Sequence, residues 1–158
     1  MRIGHGFDLH RLEEGERLVL AGVDVPSERG SAAHSDGDAA LHALTDAILG
    51  ALALPDIGEL FPDNDPRWEG ADSAVFLEEA VGRMRGAGYG LGNADVTLIL
   101  QRPKLSPFKA AMRARLAELL GVDVSRVNVK AKTHEKVDAV GEGRAVACHA
   151  VVLLAPLG

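Results

Sequence analysis

Three residues near the start of the chain have side chains that bind divalent metals: Asp8, His10 and His42. Asp8 and His10 are two positions apart in the alternating segment Met1–His10, so on a β-strand both side chains point to one face. His42 lies in a segment of helical periodicity, away from its leucine stripe. One carboxylate and two imidazoles suit Zn²⁺ with an open fourth position, as in catalytic zinc sites. The same ligands also suit Fe²⁺ or Mn²⁺.

Spacing alone leaves a second interpretation open, because Asp-x-His is a short motif and both histidines could be ordinary surface residues. Two acids, Asp38 and Asp46, lie four residues before and after His42 on the same helix face. One of them would orient the His42 imidazole. Equally, both would be solvated acids on the helix surface.

The elements that must position these side chains follow from hydrophobic periodicity and from capping and breaking residues. The pattern predicts strands over Met1–His10, Arg17–Val25, Ala94–Leu100, Val127–Thr133 and Ala145–Leu154. It predicts helices over Asp36–Leu54 with Ser35 or Asp36 as cap, over Ser73–Arg85, and from Ser106-Pro107 to Gly121. It predicts loops over Glu28–Ser35, over Gly86–Gly92 and, at unusual length, over Asp56–Asp72.

This order of strands and helices predicts an α+β fold, in which a single mixed β-sheet is covered by helices on one face. Because the strands are strongly apolar, we expect the other face to be buried in an oligomer. The 158 residues, 47% of them hydrophobic, carry no repeat or low-complexity linker. We therefore expect one domain that spans residues 1–158.

The formal net charge of −6 argues against a nucleic-acid or membrane-surface binder, which needs an excess of Lys and Arg. A small anionic substrate is compatible with it, because a metal supplies positive charge locally. The sole cysteine, Cys148, fits a reducing cytosol and a buried position in the core. No apolar signal region follows Met1–Asp8, and no stretch is long enough to span a bilayer. We expect a cytoplasmic protein.

Longer motifs occur in order along almost the whole chain. They are Gly4–His10, Ala33–Asp38, Leu41–Asp46, Asp56–Gly58, Phe61–Asp65, Gly92-Asn93, Asp95–Thr97, Asn128–Ala131, Thr133 and Glu135-Lys136. Together they resemble the signatures of the 2-C-methyl-D-erythritol 2,4-cyclodiphosphate synthases, a family of isoprenoid-precursor enzymes. The resemblance implies a homotrimer with active sites at its subunit interfaces.

The resemblance also implies an activity. The family converts 4-diphosphocytidyl-2-C-methyl-D-erythritol 2-phosphate to the cyclic diphosphate and CMP by an intramolecular phosphoryl transfer. Asp8, His10 and His42 would hold Zn²⁺ or another divalent metal. Glu135 would help bind a second ion, Mg²⁺ or Mn²⁺, on the diphosphate. His34 and Thr133 would stabilise the transition state.

The substrate-binding residues that the resemblance implies form three groups. A methylerythritol-binding lid would comprise Asp56, Ile57, Gly58, Phe61, Pro62, Asp63, Asn64 and Asp65. A cytosine pocket, formed largely by backbone groups, would comprise Leu100, Gln101, Arg102, Pro103, Lys104, Leu105 and Ser106. The remaining contacts would come from Asp8, His10, His34, Ser35, Lys132, Thr133, His134, Glu135 and Arg144.

Without the resemblance, two of these groups have simpler interpretations. His34 precedes a predicted helix N-terminus, whose N–H groups favour a phosphate, but it is equally a loop histidine near a cap. The segment Leu100–Ser106 is equally a plain connector between a strand and a helix.

The chain departs from the family pattern before its last strand. Position 139, often aromatic in the family, is Ala139, and the usual Gly-Arg-Gly-Glu run is Gly-Glu-Gly-Arg, with Glu142 and Arg144 exchanged. In the family this region borders a cavity on the trimer axis that holds an isoprenoid diphosphate, and we do not expect the same binding here. We hypothesise that Arg144 takes over part of the anion-binding role, or that Glu142 and Arg144 pair between subunits. His149 would place three imidazoles near that axis, although a half-buried polar residue is the simpler interpretation.

Two other functions fit parts of the pattern. A metal-dependent phosphohydrolase would use a positioned water in place of the substrate phosphate and would release a linear phosphate. A trimeric metal- or nucleotide-binding module would have no activity to lose, but it leaves His34, Thr133 and Glu135 without a role.

Overall fold

The computed structural model describes all 158 residues and contains a five-stranded mixed sheet. Its strands are β1 (Arg2–Glu14), β4 (Arg29–Ser31), β5 (Tyr89–Ile99), β6 (Val127–Lys132) and β7 (Ala145–Pro156). They are ordered β4-β1-β7-β5-β6, and only β5 and β6 are parallel. The predicted α+β fold with a mixed sheet is confirmed.

Three long helices pack on one face of this sheet. They are α1 (Ala39–Ala51), α3 (Ala74–Gly86) and α4 (Lys109–Leu120). Short helices α2 (Ile57–Leu60) and α5 (Asp138–Gly141) and 3-10 turns at Pro66–Trp68 and Val124–Arg126 lie in the connections. The short α5 packs against Ala145 and Ala147 on the opposite side of the sheet. None of the helices combines the length and apolar character that a membrane span requires.

Strand β7 shows how the two faces of the sheet differ. Its even-numbered residues from Val146 to Leu154, including the free Cys148, are buried under the helices, as was expected for the cysteine. The alternate residue His149 is exposed on the other face. Large apolar side chains that are 43–73% exposed lie on that face too: Ile3, Phe7, Leu9 and Val151. Burial of this face by a partner remains a prediction.

The segment Arg17–Val25, predicted as one strand, is a hairpin of β2 (Val19–Leu20) and β3 (Val23–Asp24). The reversal is at Ala21 and Gly22, whose φ angles of 54° and 70° suit a two-residue hairpin turn. The five-stranded sheet is therefore accompanied by a second, two-stranded one. Apolar residues on both sides of the turn had the appearance of one continuous strand.

Other predicted boundaries are also corrected. Strand β1 continues to Glu14 because β4, which lies in the predicted loop Glu28–Ser35, pairs with its last residues. Helix α1 begins at Ala39, with Asp38 as its cap. The predicted loop Asp56–Asp72 contains α2 and a 3-10 turn, and the predicted loop Gly86–Gly92 contains the start of β5. The Ser106-Pro107 pair forms a turn before α4, which begins at Lys109.

Candidate active site

Helix α1 lies directly on strand β1 because Gly4 and Gly6 have no side chains. A Cβ atom at Gly4 would overlap the backbone carbonyl of Ala47, and one at Gly6 would overlap that of Ala43. Both glycines therefore permit a backbone approach that no other residue allows. This approach brings His42 of the helix to the inward-facing side chains of β1.

Asp8, His10 and His42 meet in the crevice between β1 and α1. Asp8 Oδ2 lies 3.2 Å from His10 Nε2 and 3.2 Å from His42 Nδ1. The two ring nitrogens are 3.1 Å apart. One ligand atom from each residue lies within 4.8 Å of the others, so the predicted cluster is confirmed as a group that can hold a metal ion.

The donor atoms of this cluster fit a metal ion. Asp8 Oδ2 is buried and accepts no hydrogen bond, although two imidazoles lie beside it. A buried carboxylate oxygen without a donor is costly, and a cation would satisfy it. Burial lowers the pKa of His10, and the neighbouring Asp8 carboxylate opposes this shift. The lowered pKa favours the neutral imidazole, which has a lone pair for a metal ion. One oxygen and two nitrogens match the ligands of catalytic zinc sites.

The outer nitrogen of His42 contacts hydroxyl groups. His42 Nε2 lies 2.8 Å from Ser73 Oγ and 3.3 Å from Ser35 Oγ. Ser73 Oγ donates in turn to the carboxylate of Asp36. The prediction that Asp38 or Asp46 orients His42 is wrong, since the residue beside His42 Nε2 is Ser73. Sequence reasoning missed Ser73 because it lies 31 residues from His42 along the chain.

Asp38 has a structural role instead. Its fully buried carboxylate accepts the N–H groups of Ala21 and Gly22 in the hairpin turn and those of Ala40 and Leu41 in α1. Burial raises the pKa of Asp38 to about 6, although these N–H groups oppose the shift. Two N–H groups of this helix end, those of Ala40 and Leu41, are thus occupied by the chain's own carboxylate and are not free for a phosphate.

Asp46 is not a solvated surface acid either. Its Oδ1 accepts the N–H of Ile57 at 2.8 Å, which ties helix α1 to the start of α2. Partial burial raises the pKa of Asp46, and this hydrogen bond opposes the shift. Asp46 therefore anchors the beginning of the predicted lid.

The predicted lid continues to an aromatic cluster beside the metal ligands. The rings of Phe61, Trp68 and Phe76 have centroids 4.7–5.6 Å apart, and Phe76 lies 5.8 Å from the ring of His42. Trp68 Nε1 is buried there without a hydrogen-bond partner. The segment is thus packed against the metal-binding crevice.

His34 and Ser35 lie on this same side of the molecule. His34 Nε2 is 3.3 Å from the carbonyl oxygen of Asp65 in the lid. The structure therefore brings together His34, Ser35, the lid and the three metal ligands. We call this group the metal half of the site.

Some of the remaining predicted residues line a separate cleft of about 1180 Å³. Those on its wall are Gln101, Arg102, Pro103, Lys104 and Thr133. The side chains of Leu100 and Leu105 are buried in the core, so only their backbone groups are available to a ligand. We call Leu100–Ser106 with Lys132–Glu135 the cleft half of the site.

Glu135 lies in a loop of unusual backbone conformation. Glu135, Lys136 and Asp138 have φ angles of 51°, 61° and 61°, which non-glycine residues seldom adopt. Thr133 Oγ1 donates to Glu135 Oε1 at 3.1 Å. His134 Nδ1 lies 2.9 Å from Asp138. Within one chain Glu135 does not join the metal cluster.

Arg144 contacts a carboxylate of its own chain. Arg144 Nη2 lies 2.6 Å from Glu142 Oε2, and both side chains are more than half exposed. This contact is an alternative to the hypothesised pairing between subunits. Contact of Arg144 with substrate stays a prediction, since Glu142 lines the cleft and Arg144 does not.

His149 lies on the open face of the sheet, where its Nδ1 is 3.1 Å from His5 Nε2. The side chain is exposed in the single chain, more so than the half-buried position considered from the sequence. Its proximity to other copies of itself remains a prediction.

Comparisons with known proteins agree with one another. The sequence model of the YgbB family matches residues 1–155. A rice protein named 2-C-methyl-D-erythritol 2,4-cyclodiphosphate synthase, chloroplastic, is 65% identical over 153 residues, which cover 97% of this chain and 69% of the relative. A Trichlorobacter lovleyi protein of the same enzyme name is 54% identical over 156 residues and 99% of both chains. A solved structure of such a synthase with CDP bound superposes with a TM-score of 0.90 at 49% identity, over 98% of this chain and 100% of that one.

Proposed function

The chain belongs to the YgbB family of 2-C-methyl-D-erythritol 2,4-cyclodiphosphate synthases, lyases of the non-mevalonate isoprenoid pathway, and on that premise we propose which residues carry the reaction. The substrate would be 4-diphosphocytidyl-2-C-methyl-D-erythritol 2-phosphate, and the products would be the cyclic diphosphate and CMP. The observation that carries the proposal is the Asp8–His10–His42 cluster with its orphaned carboxylate oxygen.

The proposed reaction is an intramolecular phosphoryl transfer. An oxygen of the 2-phosphate forms a bond to the β-phosphorus, the bond from that phosphorus to the CMP oxygen breaks, and CMP leaves with the electron pair. The attacking oxygen is already anionic, so no general base is needed. The barrier lies in bringing anions together and in closing a ring, so the protein must supply positioning and charge neutralisation.

Asp8, His10 and His42 would hold a divalent ion, for which Zn²⁺ is our first choice. Such an ion supplies positive charge to the phosphate oxygens. Glu135 would help hold a second ion, Mg²⁺ or Mn²⁺, on the diphosphate. These assignments rest on ligand chemistry and on the family.

The other residues of the metal half would orient the methylerythritol phosphate. His34 and Ser35 would offer an imidazole and a hydroxyl to phosphate oxygens. Asp56 to Gly58 and Phe61 to Asp65 would enclose the sugar alcohol and exclude water, which otherwise competes for the phosphorus. Packing of Phe61 onto Phe76, 4.7 Å between centroids, supports a position of this segment close to the reacting atoms.

The cleft half would bind the cytidine. Gln101 to Lys104 would present backbone groups to the base, with Lys132 to Glu135 near the diphosphate and Thr133 as a donor to the transition state. The CDP-bound relative supports this use of the cleft, since it shares the fold along 98% of this chain.

The complete site would form between two chains of a homotrimer. Within one chain the three metal ligands and His34 do not line the cleft that holds Thr133. A partner chain whose cleft half lies beside the metal half of this chain would bring these residues into one site. The exposed apolar side chains of Ile3, Phe7 and Leu9 support burial of that sheet face by other copies. A single domain, a cytoplasmic location and the absence of nucleic-acid and membrane partners remain proposals from the sequence.

Product analysis tests this proposal. The chain is incubated with the cytidine-linked substrate and Mg²⁺, with and without prior chelation, while CMP and the second product are followed by ³¹P NMR. We expect CMP and a cyclic diphosphate from the metal-loaded protein and neither after chelation. As a control, the substrate without its 2-phosphate lacks the nucleophile and should release no CMP.

Each alternative gives a different result in the same experiment. A phosphohydrolase would release CMP with a linear phosphate and would also act on the control substrate. A binding module would give no CMP under any condition. Either result would overturn the proposal.

A further inference from the structure

A chain of hydrogen bonds leads outward from the metal half through two residues that no step above uses. His42 Nε2 lies 2.8 Å from Ser73 Oγ, which donates to Asp36 Oδ1. Asp36 also accepts the Ser73 N–H at 3.2 Å on its other oxygen and the Asp38 N–H at 3.2 Å. Asp36 is thus fixed by the backbone, and Ser73 is fixed by Asp36.

The direction of these hydrogen bonds follows from proton counting. A carboxylate only accepts, so the single hydroxyl proton of Ser73 is directed at Asp36. Ser73 Oγ then has only lone pairs to offer to His42, so His42 Nε2 must carry the ring proton. The other nitrogen, Nδ1, is left with a lone pair 3.2 Å from Asp8 Oδ2.

Ser73 has no other evident task. It is fully buried, and although it stands at the cap position of α3, its side chain makes no capping hydrogen bond. Ser35 Oγ is a second neighbour of His42 Nε2, but at 3.3 Å, and it also accepts the Gly37 N–H. The shorter contact, with Ser73, therefore determines which nitrogen of the His42 ring carries the proton.

We infer that Ser73 and Asp36 are positioning residues, which hold His42 in the tautomer whose Nδ1 is free to bind the metal. The inference rests on the metal-binding role proposed for His42. It predicts that Asp36, which does not touch the imidazole, nevertheless changes metal affinity. Outer hydrogen-bond partners of ligand histidines commonly fix the tautomer in this manner.

The first test needs no metal. Long-range ¹H–¹⁵N correlation NMR of the metal-free protein distinguishes protonated from bare ring nitrogens, and His42→Gln identifies the His42 signals. We expect the Nε2–H form in the unmodified protein and a mixture in Ser73→Ala. A His42 found in the Nδ1–H form in the unmodified protein would overturn the inference.

The second test measures Zn²⁺ affinity by competition with a chelating dye. Ser73→Ala should bind Zn²⁺ about 10- to 100-fold more weakly. Asp36→Asn should also weaken binding, because an amide N–H facing Ser73 turns the hydroxyl proton toward His42. The double variant should be little worse than Ser73→Ala, since both changes break one chain of bonds.

Ser31→Ala is the matched control. Ser31 is also a buried serine, but its Oγ has no hydrogen-bond partner, so Zn²⁺ affinity should not change. If the unmodified protein binds no divalent ion, the proposed metal role fails. If it binds Zn²⁺ and both Ser73→Ala and Asp36→Asn bind equally well, only the present inference fails. If Ser73→Ala does not fold, the Zn²⁺ affinity of Asp36→Asn and the NMR spectrum of the unmodified protein still test the inference.

Discussion

The two halves of the candidate site are built differently. Asp8, His10 and His42 lie on a long strand and a long helix, between 13% and 24% exposed, at a separation fixed by backbone contact. The cleft half, Leu100–Ser106 with Lys132–Glu135, lies at the end of β6 and in the loops that follow β5 and β6. The first half is preorganised by the core of the fold. The second offers exposed groups along a cleft.

This difference has a practical consequence. Changes in the metal half should remove metal or stability, because its geometry belongs to the packed core. Changes in the cleft half should leave metal and stability intact and alter only rate or nucleotide affinity. The comparison would be contradicted by a metal-half variant that keeps both metal and stability, or by a cleft-half variant that loses either.

The largest effect should come from Asp8→Asn, which keeps the shape of the side chain and removes its charge. We expect loss of tight Zn²⁺ binding and a rate of CMP release lower by about 10³-fold or more, since several kcal/mol of charge stabilisation disappear. Glu13→Gln, at an exposed acid of the same strand, is the control and should retain both properties. Retention of most activity by Asp8→Asn would show that this half does not hold the working metal.

Gly6→Ala should have the next largest effect, because the new methyl group would overlap the backbone of α1. We expect a loss of about 3 kcal/mol or more in the free energy of unfolding, measured in urea. Gly50→Ala is matched in chemistry but has open space around it, and it should be neutral or stabilising by up to about 1 kcal/mol. Equal stability of the two variants would refute the close contact.

Thr133→Val tests the cleft half. The change keeps the shape and removes the hydroxyl, so the rate of CMP release should fall by about 10²-fold, the usual cost of one transition-state donor. Zn²⁺ content and urea stability should not change. Loss of bound zinc in this variant would mean that the halves are not separable.

Asp38, at the start of the helix that carries His42, should make the stability of the protein depend on pH. Its pKa is raised to about 6 in the folded chain from 3.8, so between these values the folded state binds more protons than the unfolded state. The stability that this difference contributes is complete below pH 4 and is lost as pH rises through 6, on the order of 3 kcal/mol.

Urea unfolding from pH 4 to 7 measures this slope against Asp38→Asn, which cannot titrate. The unmodified protein should lose stability relative to the variant as the pH rises. Parallel curves would show that Asp38 does not titrate in this range.

The smallest effect should come from Arg102→Ala. The proposed cytidine contacts in this segment are made by backbone groups, so removal of an exposed side chain should change the KM by less than about fivefold, or 1 kcal/mol. A much larger rise in the KM would assign base recognition to the side chain.

The sequence predicted the metal half better than its surroundings, for physical reasons. Asp8, His10 and His42 lie on regular elements, where the periods of strand and helix determine which side chains share a face. The partner of His42 came from the end of a distant loop, and no periodicity connects Ser73 with His42. Asp38 was misassigned because two of its four donors come from a hairpin that the apolar pattern concealed.

The cleft half shows what sequence spacing could not predict. Its residues were named through motifs of a family, whereas the left-handed backbone at Glu135 and Lys136 has no glycine to signal it. The exposed face of the sheet was expected from the apolar strands, but alternation along one chain cannot identify what covers it. Loop conformation and assembly depend on contacts that sequence spacing does not encode.

Trp68 gives the molecule an optical property of its own. It is the only tryptophan of the chain, and it lies in the aromatic cluster that touches the ring of His42 through Phe76. Indole emission shifts in colour with the polarity around the ring, and here its N–H is buried without a partner. Ultraviolet fluorescence of the unlabelled protein therefore reports on one place, the junction between the segment Phe61–Asp65 and the metal ligands, with no second tryptophan to obscure the signal.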